Sequence, residues 1–391
     1  MVKRFWVGLG LLAFIGVSFT AATSSVSPAY AVACFSSFAT ATTADGLGHN
    51  AVFDVYADGS TVYAATYGGL GISTDGGANF ANRTTADGLG SSTVYGFYVL
   101  GTTVYAATNG GVSISTNGGT SFTNYTTGLG STIVKDVYVD AGTIYAATSG
   151  GVSISTNGGA NFANRTTADG LGHNSSYGVY AVGSTVYAAT YGGVSISTNG
   201  GANFTNYTTG LGNNLVRSVY VDGSTIYAST NGGLSISTNG GTSFANRTTA
   251  DGLGSSTVYG VYVDGSTIFA ATTGGLSIST DGGANFTNRT TADGLGNDSV
   301  MAVYADSSNV YAATGGGGLS ITANCVSSST STSTTSSASS SGIPGIFLAV
   351  NGVLLGKRVE GSPVYYGADR VAVTSTYLLT VTSVSNVSPS V

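Results

Sequence analysis

The sequence predicts an all-β chain, a seven-bladed β-propeller of four-stranded blades closed by a shared last blade, with a small β segment after it. Three observations predict this. A Gly-Leu-Gly element recurs at Gly46, Gly88, Gly128, Gly170, Gly210, Gly252 and Gly294, at spacings of 42, 40, 42, 40, 42 and 42 residues. Each unit holds β-branched and aromatic runs separated by Gly, Asn and Asp, which is how short strands and tight turns read. A fixed period of about 40 residues with that content marks one propeller blade per repeat.

Within a unit the strands follow one another in order. After Asp87-Gly88-Leu89-Gly90, the run Val94 to Val99 reads as the innermost strand, Thr103 to Thr108 as the second and Val112 to Ser115 as the third. Asn117-Gly118 then makes a hairpin turn, because these residues tolerate the positive φ that tight hairpins need. Ser121-Phe122-Thr123-Asn124 opens the outer strand. Apolar inner strands with little polar content fit sheets whose two faces both pack on neighbours. The repeated tyrosines Tyr56, Tyr98, Tyr138, Tyr180, Tyr220, Tyr262 and Tyr304 are expected to pack between blades.

The seventh unit is incomplete and stops near Cys325, whereas Cys34-Phe35-Ser36-Ser37-Phe38 precedes the first. Laid on a complete unit, both cysteines fall on the Gly76 position. The ring is therefore expected to close through a blade whose outer strand comes from residues 34–43 and whose inner three come from 299–325. A Cys34–Cys325 disulfide would lock that seam, and closing so long a loop constrains the unfolded chain by roughly 5 kcal/mol. Lipid attachment at Cys34, which follows small residues, is the alternative.

Domain boundaries follow from composition. Residues 1–31 read as a signal peptide, with Lys3 and Arg4 before an apolar run and Ala29-Tyr30-Ala31 as the cleavage site, Ala31-Val32-Ala33 being a second option. Residues 32–325 form the propeller, 326–342 a Ser/Thr-rich linker, and 343–391 a small β module or surface-retention tail with a hairpin about Asn351-Gly352. Only 7% of residues are charged, against about 25% in an average protein. The net charge of −6 argues against nucleic acid or an anionic membrane as partner. No segment after the signal is long and apolar enough to span a bilayer. Export, an extracellular or cell-surface location and a monomer are the expectation.

The stretch Gly252 to Ser277, Gly-Leu-Gly-Ser-Ser-Thr-Val-Tyr-Gly-Val-Tyr-Val-Asp-Gly-Ser and onward, resembles the two-component regulator propeller repeat. That resemblance implies an extracytoplasmic sensor propeller with glycan-derived ligands. Tyrosine or phenylalanine stands where that repeat usually carries tryptophan, at Tyr63, Tyr105, Tyr145, Tyr187, Tyr227, Phe269 and Tyr311. The hairpin Ser73 to Phe80 is similar to the Asp-box of sialidase-like and sortilin-like propellers, repeated at Asp281, with Asn117, Asn157, Asn199 and Asn239 at the Asp position elsewhere.

No catalytic set emerges. There is one glutamate, Glu360, outside the repeats. Arg83, Arg165, Arg247 and Arg289 share one repeat position and are spread round the ring. The aspartates of the Asp-Gly turns read as turn formers. His49 and His173 are not a metal pair, and no cofactor or metal is expected.

Three positions vary among the copies. One reads Phe53, Tyr95, Lys135, Tyr177, Arg217, Tyr259 and Met301; the second, before the Gly-Gly pair, includes Tyr67 and Tyr191; the third follows Gly-Leu-Gly and includes His49 and His173. All belong to loops expected on one face of the ring, so these eleven residues are the candidate ligand-binding rim. The expectation is a secreted, non-catalytic binder of glycan or extracellular protein. The alternatives are a structural surface repeat protein and a polysaccharide-acting hydrolase or lyase built from Asp and Tyr.

Overall fold

A computed structural model describes residue 35 and the ranges 37–323, 346–350 and 353–358. Seven four-stranded antiparallel sheets make up the first of two compact units. In the first blade the strands are Val52–Asp58, Thr61–Thr66, Gly69–Ser73 and Ala81–Arg83, hydrogen-bonded in chain order from innermost to outermost. The next five repeat this plan. The seventh takes Val300–Ala305, Asn309–Thr314 and Leu319–Ala323 from the end of the ring and Ala39–Ala41 from its start. There Ala39 pairs with Ile321, Thr40 with Ser320 and Ala41 with Leu319. The shared last blade is thus present as the sequence predicts. Cys34, Cys325, the signal segment and the linker lie outside the described residues.

The core sits between blades. Tyr63, Ala65, Leu70 and Ile72 of the first blade pack with Leu89, Val94, Phe97, Val104 and Phe122 of the second. At the closure, Ala41, Tyr311, Ala313 and Leu319 pack with Leu47, Val52, Val55, Val62 and Phe80. Each sheet buries both faces on its neighbours, so no blade holds a core of its own, as stacked repeats require.

The two repeat lengths have a local cause. Where the unit reads Thr-Thr-Ala-Asp-Gly, a 3-10 turn forms: at Thr84, the side chain accepts from Ala86 N–H while Asp87 accepts from Thr84 N–H, and Gly88 closes it at φ +95°. The third and fifth units lack the Ala-Asp pair and are two residues shorter. The glycines after each leucine serve close approach, since a Cβ on Gly68 would collide with the carbonyl of Gly48.

The hairpins after the third strands are tied by side chains. Ser73 Oγ accepts from Gly77 N–H at 2.9 Å and donates to Asp75, which accepts in turn from Asn79 N–H at 2.9 Å. These bonds hold the Asp75 carboxyl down at about 2, the Asn79 side chain contributing most.

In the second unit, strands Ile346–Val350 and Val353–Arg358 pair antiparallel, Val350 with Val353, while the expected turn residues Asn351 and Gly352 lie outside the described residues. The rest of the expected module, residues 359–391, lies outside the described residues. No helix among the described residues is long and apolar enough to cross a membrane.

Candidate ligand-binding rim and central channel

Every inner strand carries a β-bulge, and the bulged residue is the variable one. Val52 pairs with Thr66, but Asp54 pairs with Ala65, which leaves Phe53 outside the ladder. The same shift leaves out Tyr95, Lys135, Tyr177, Arg217, Tyr259 and Met301. A bulge re-aims a side chain without disturbing the pairing on either side. It also lets Val52 and Val55, three residues apart, both face the core.

The bulged residues gather with the two loop sets into clusters. Phe53 meets Tyr67 edge-on at 4.4 Å between ring centroids, and Tyr67 meets His49 at 5.6 Å. Phe53 continues to Tyr95 at 5.6 Å, and the Lys135 ammonium stands 4.1 Å over the Tyr95 ring. Five candidates from three blades therefore form one continuous aromatic and cationic surface. Burial pushes the Tyr95 hydroxyl up and the Lys135 amine down. Across the ring, the Arg217 guanidinium stands 4.6 Å over Tyr259 and donates from Nε to Asn231 at 2.7 Å. His173 packs on Tyr191 at 5.3 Å. Tyr67 and Tyr191 are half exposed. Met301 meets Ser299 through its sulfur, and Tyr177 joins neither cluster by a ring contact.

The histidines have a local task. His49 Nδ1 accepts from Ala51 N–H and His173 Nδ1 from Ser175 N–H, both at 2.9 Å. Ser91, Ser131, Asn213, Ser255 and Asn297 make the same bond from the same repeat position. Histidine here substitutes for a Ser or Asn turn former and packs its ring on the neighbouring tyrosine.

Beyond the bulge the strand alternates. Val55 and Ala57 are buried between blades, so Asp54, Tyr56 and Asp58 share the opposite face, along the central channel. Three rings of residues follow. The first holds Asp54, Gly96, Asp136, Gly178, Ser218, Gly260 and Ala302. Asp54 accepts from Val55 N–H and from Phe97 N–H of the next blade; Asp136 accepts from Val137 and Val179 in the same way. Oxygens of both carboxylates lie within 3.6 Å of the point a Gly96 Cβ would occupy, so the two groups face each other over this glycine. Burial, and for Asp54 the charge of Asp136, pushes them up to about 7 and about 6, against the pull of those backbone donors. Sequence reading missed this pair. The signal was present, since aspartate replaces Gly, Ser or Ala at two copies of one inner-strand position.

The second ring is the seven tyrosines. They are half-buried and run in a chain from Tyr98 through Tyr138, Tyr180, Tyr220, Tyr262 and Tyr304 to Tyr56, with successive centroids 4.7 to 5.8 Å apart. They do join blades, but along the channel wall. Burial, together with neighbouring phenols and aspartates, raises the Tyr220 and Tyr304 hydroxyls to about 12, so they stay neutral hydrogen-bonding groups. The third ring, at the far mouth, holds Asp58, Leu100, Asp140, Val182, Asp222, Asp264 and Asp306. One end of the channel is aromatic with two cations, and the other is acidic.

The solved structures similar to this chain are propellers. The extracellular domain of the hybrid two-component system BT3049 from B. thetaiotaomicron matches 73% of the chain at a TM-score of 0.62 and 20% identity. The chain spans 41% of the length of that domain. YCF48, solved bound to a D1 peptide, matches 74% of the chain and 96% of its own length at a TM-score of 0.57 and 13% identity. A GH74 enzyme from Niastella koreensis matches 71% of the chain and 43% of its own, at 0.53 and 21%. No family model matches the sequence, and no curated protein does. The class is an all-β seven-bladed propeller whose structural neighbours include extracellular domains of two-component systems.

Proposed function

We propose that this chain is an exported, non-catalytic binding propeller that holds a glycan or an extracellular protein on its bulge rim. One observation carries the reading. The blades repeat almost residue for residue, yet the seven bulged positions differ, and they converge with Tyr67, Tyr191 and the histidines on one end of the channel. Aromatic rings paired with a few cations are the contacts that sugar and protein ligands use. The extracellular domains of two-component systems and the peptide-bound propeller among the neighbours support a ligand-binding role.

The Asp54–Asp136 pair has the proximity that a hydrolase would need, and the rival reading as a polysaccharide-acting enzyme rests on it. Four backbone bonds, two of them across blade boundaries, favour a joining role instead. The test is a glycan array probed with the oxidised chain and with the Tyr95→Ala, Tyr177→Ala, Tyr259→Ala triple variant. Specific signals lost in a folded variant support the rim; signals unchanged by it refute the rim. Release of product from a polysaccharide, abolished by Asp54→Asn, would establish the enzyme.

A further inference from the structure

Six blades fill the groove toward the next blade with the last residue of their outer strand. Arg83, Tyr125, Arg165, Tyr207, Arg247 and Arg289 stand opposite Leu70, Val112, Val152, Val194, Leu234 and Leu276. Three of these arginines reach across: Nε of Arg83 donates to Gly119 O at 3.0 Å, Arg165 to Gly201 O at 2.9 Å, and Arg247 to Gly283 O at 2.6 Å. Tyr125 lays its ring beside Gly159 instead.

At the seam the same position is Ala41, opposite Leu319. The rest of the groove is unchanged: Ile321 sits against Gly77 as Ile72 sits against Gly119. In place of the large side chain there is, among the described residues, an open pocket of about 420 Å³, lined by Ala41, Ile321, Gly77, Ala78, Asp45 and Asn309 among others.

We propose that this seam cavity takes an arginine side chain from an extended peptide. The guanidinium would donate to Gly77 O, as its counterparts do in three other blades, and the aliphatic stem would lie on Ile321. Asp45 adds an acidic group at the wall. A guanidinium offers a planar fork of donors to the Gly77 carbonyl and the Asp45 carboxylate together, whereas an ammonium offers a point charge. The volume exceeds one side chain and falls in the range of ligand sites, leaving room for the peptide backbone beside it. This site lies at the outer part of the ring closure and is independent of the rim.

The test uses the full chain and two probes, acetyl-Gly-Arg-Gly-amide and acetyl-Gly-Lys-Gly-amide, followed by calorimetry and thermal unfolding. The arginine peptide is expected to bind at least ten-fold tighter than the lysine peptide. Ala41→Arg is expected to abolish that binding and to raise the unfolding midpoint by about 2 °C or more. Should that variant not fold, Ala41→Tyr, which copies the Tyr125 arrangement, is expected to block the peptide too. The rim triple variant is expected to bind the peptide unchanged, which separates failure here from failure of the rim. No binding of either peptide, equal binding of both, binding that survives a folded Ala41→Arg or Ala41→Tyr chain, or a folded Ala41→Arg chain with a lowered midpoint would each overturn the proposal.

Discussion

The interfaces between blades and the rim above them are built from adjacent residues under opposite constraints. Val52, Val94, Val134, Val216, Val258 and Val300 are fully buried and identical in six of seven blades. The very next residue is Phe, Tyr, Lys, Arg, Tyr or Met. The bulge is what separates them. A residue inside the ladder answers to its partner strand and to the buried packing of the neighbouring blade, whereas the bulged residue is released from the ladder and meets chiefly other rim side chains. Stability and surface chemistry are thereby assigned to different side chains one bond apart, which a regular strand could not do.

The largest expected effect falls on the interfaces. Leu234→Ala removes a fully buried side chain and is expected to cost about 3 kcal/mol. Denaturant unfolding measures this, and rim binding by the folded fraction should be unchanged. If binding falls with stability, the two regions are not separate.

Next comes the carboxylate ring just below the rim. Asp54 and Asp136 bind protons more tightly folded than unfolded, because their folded values are raised to about 7 and about 6. Their contribution therefore favours the folded state below the ordinary carboxylate range and is lost as pH rises from about 4 through 7. The unfolding midpoint of Asp54→Asn is expected to depend less on pH across that window than that of the parent chain. An equal dependence would show that the pair does not titrate together in the channel.

The smallest effect is on the rim itself. A double-mutant cycle of Lys135→Ala and Tyr95→Ala is expected to give a coupling of about 0.5–1 kcal/mol in stability. A coupling near zero would mean that the ammonium is held for a ligand and not by the ring.

The fold was legible because the repeat exposes it seven times over. The closure was legible too, since Phe38 aligns with Phe80 in the repeat, and both are buried. The candidate rim residues are the positions where the copies disagree, and the seven on the inner strands are the bulged ones. What the sequence hid was the bulge, since one unpaired residue leaves no periodic trace. Without it, strict alternation from Val52 puts Asp54, Tyr56 and Asp58 on the buried face with Val52 and not on the channel wall. Asp54 and Asp136 were passed over for that reason, and the tyrosines were read as interblade packing when they also line the channel. The empty place at Ala41 was likewise hidden, because its meaning depends on pairing with Leu319, hundreds of residues away.

The bulge also turns the rim into a seven-letter word. Each letter is one residue, some letters touch one another as Phe53, Tyr95 and Lys135 do, and a change at one position leaves the grammar of the ladder intact. In this chain the word is Phe-Tyr-Lys-Tyr-Arg-Tyr-Met. A gene library that randomises only those seven codons would explore new recognition surfaces while every blade keeps its packing, and the same freedom is open to natural variation.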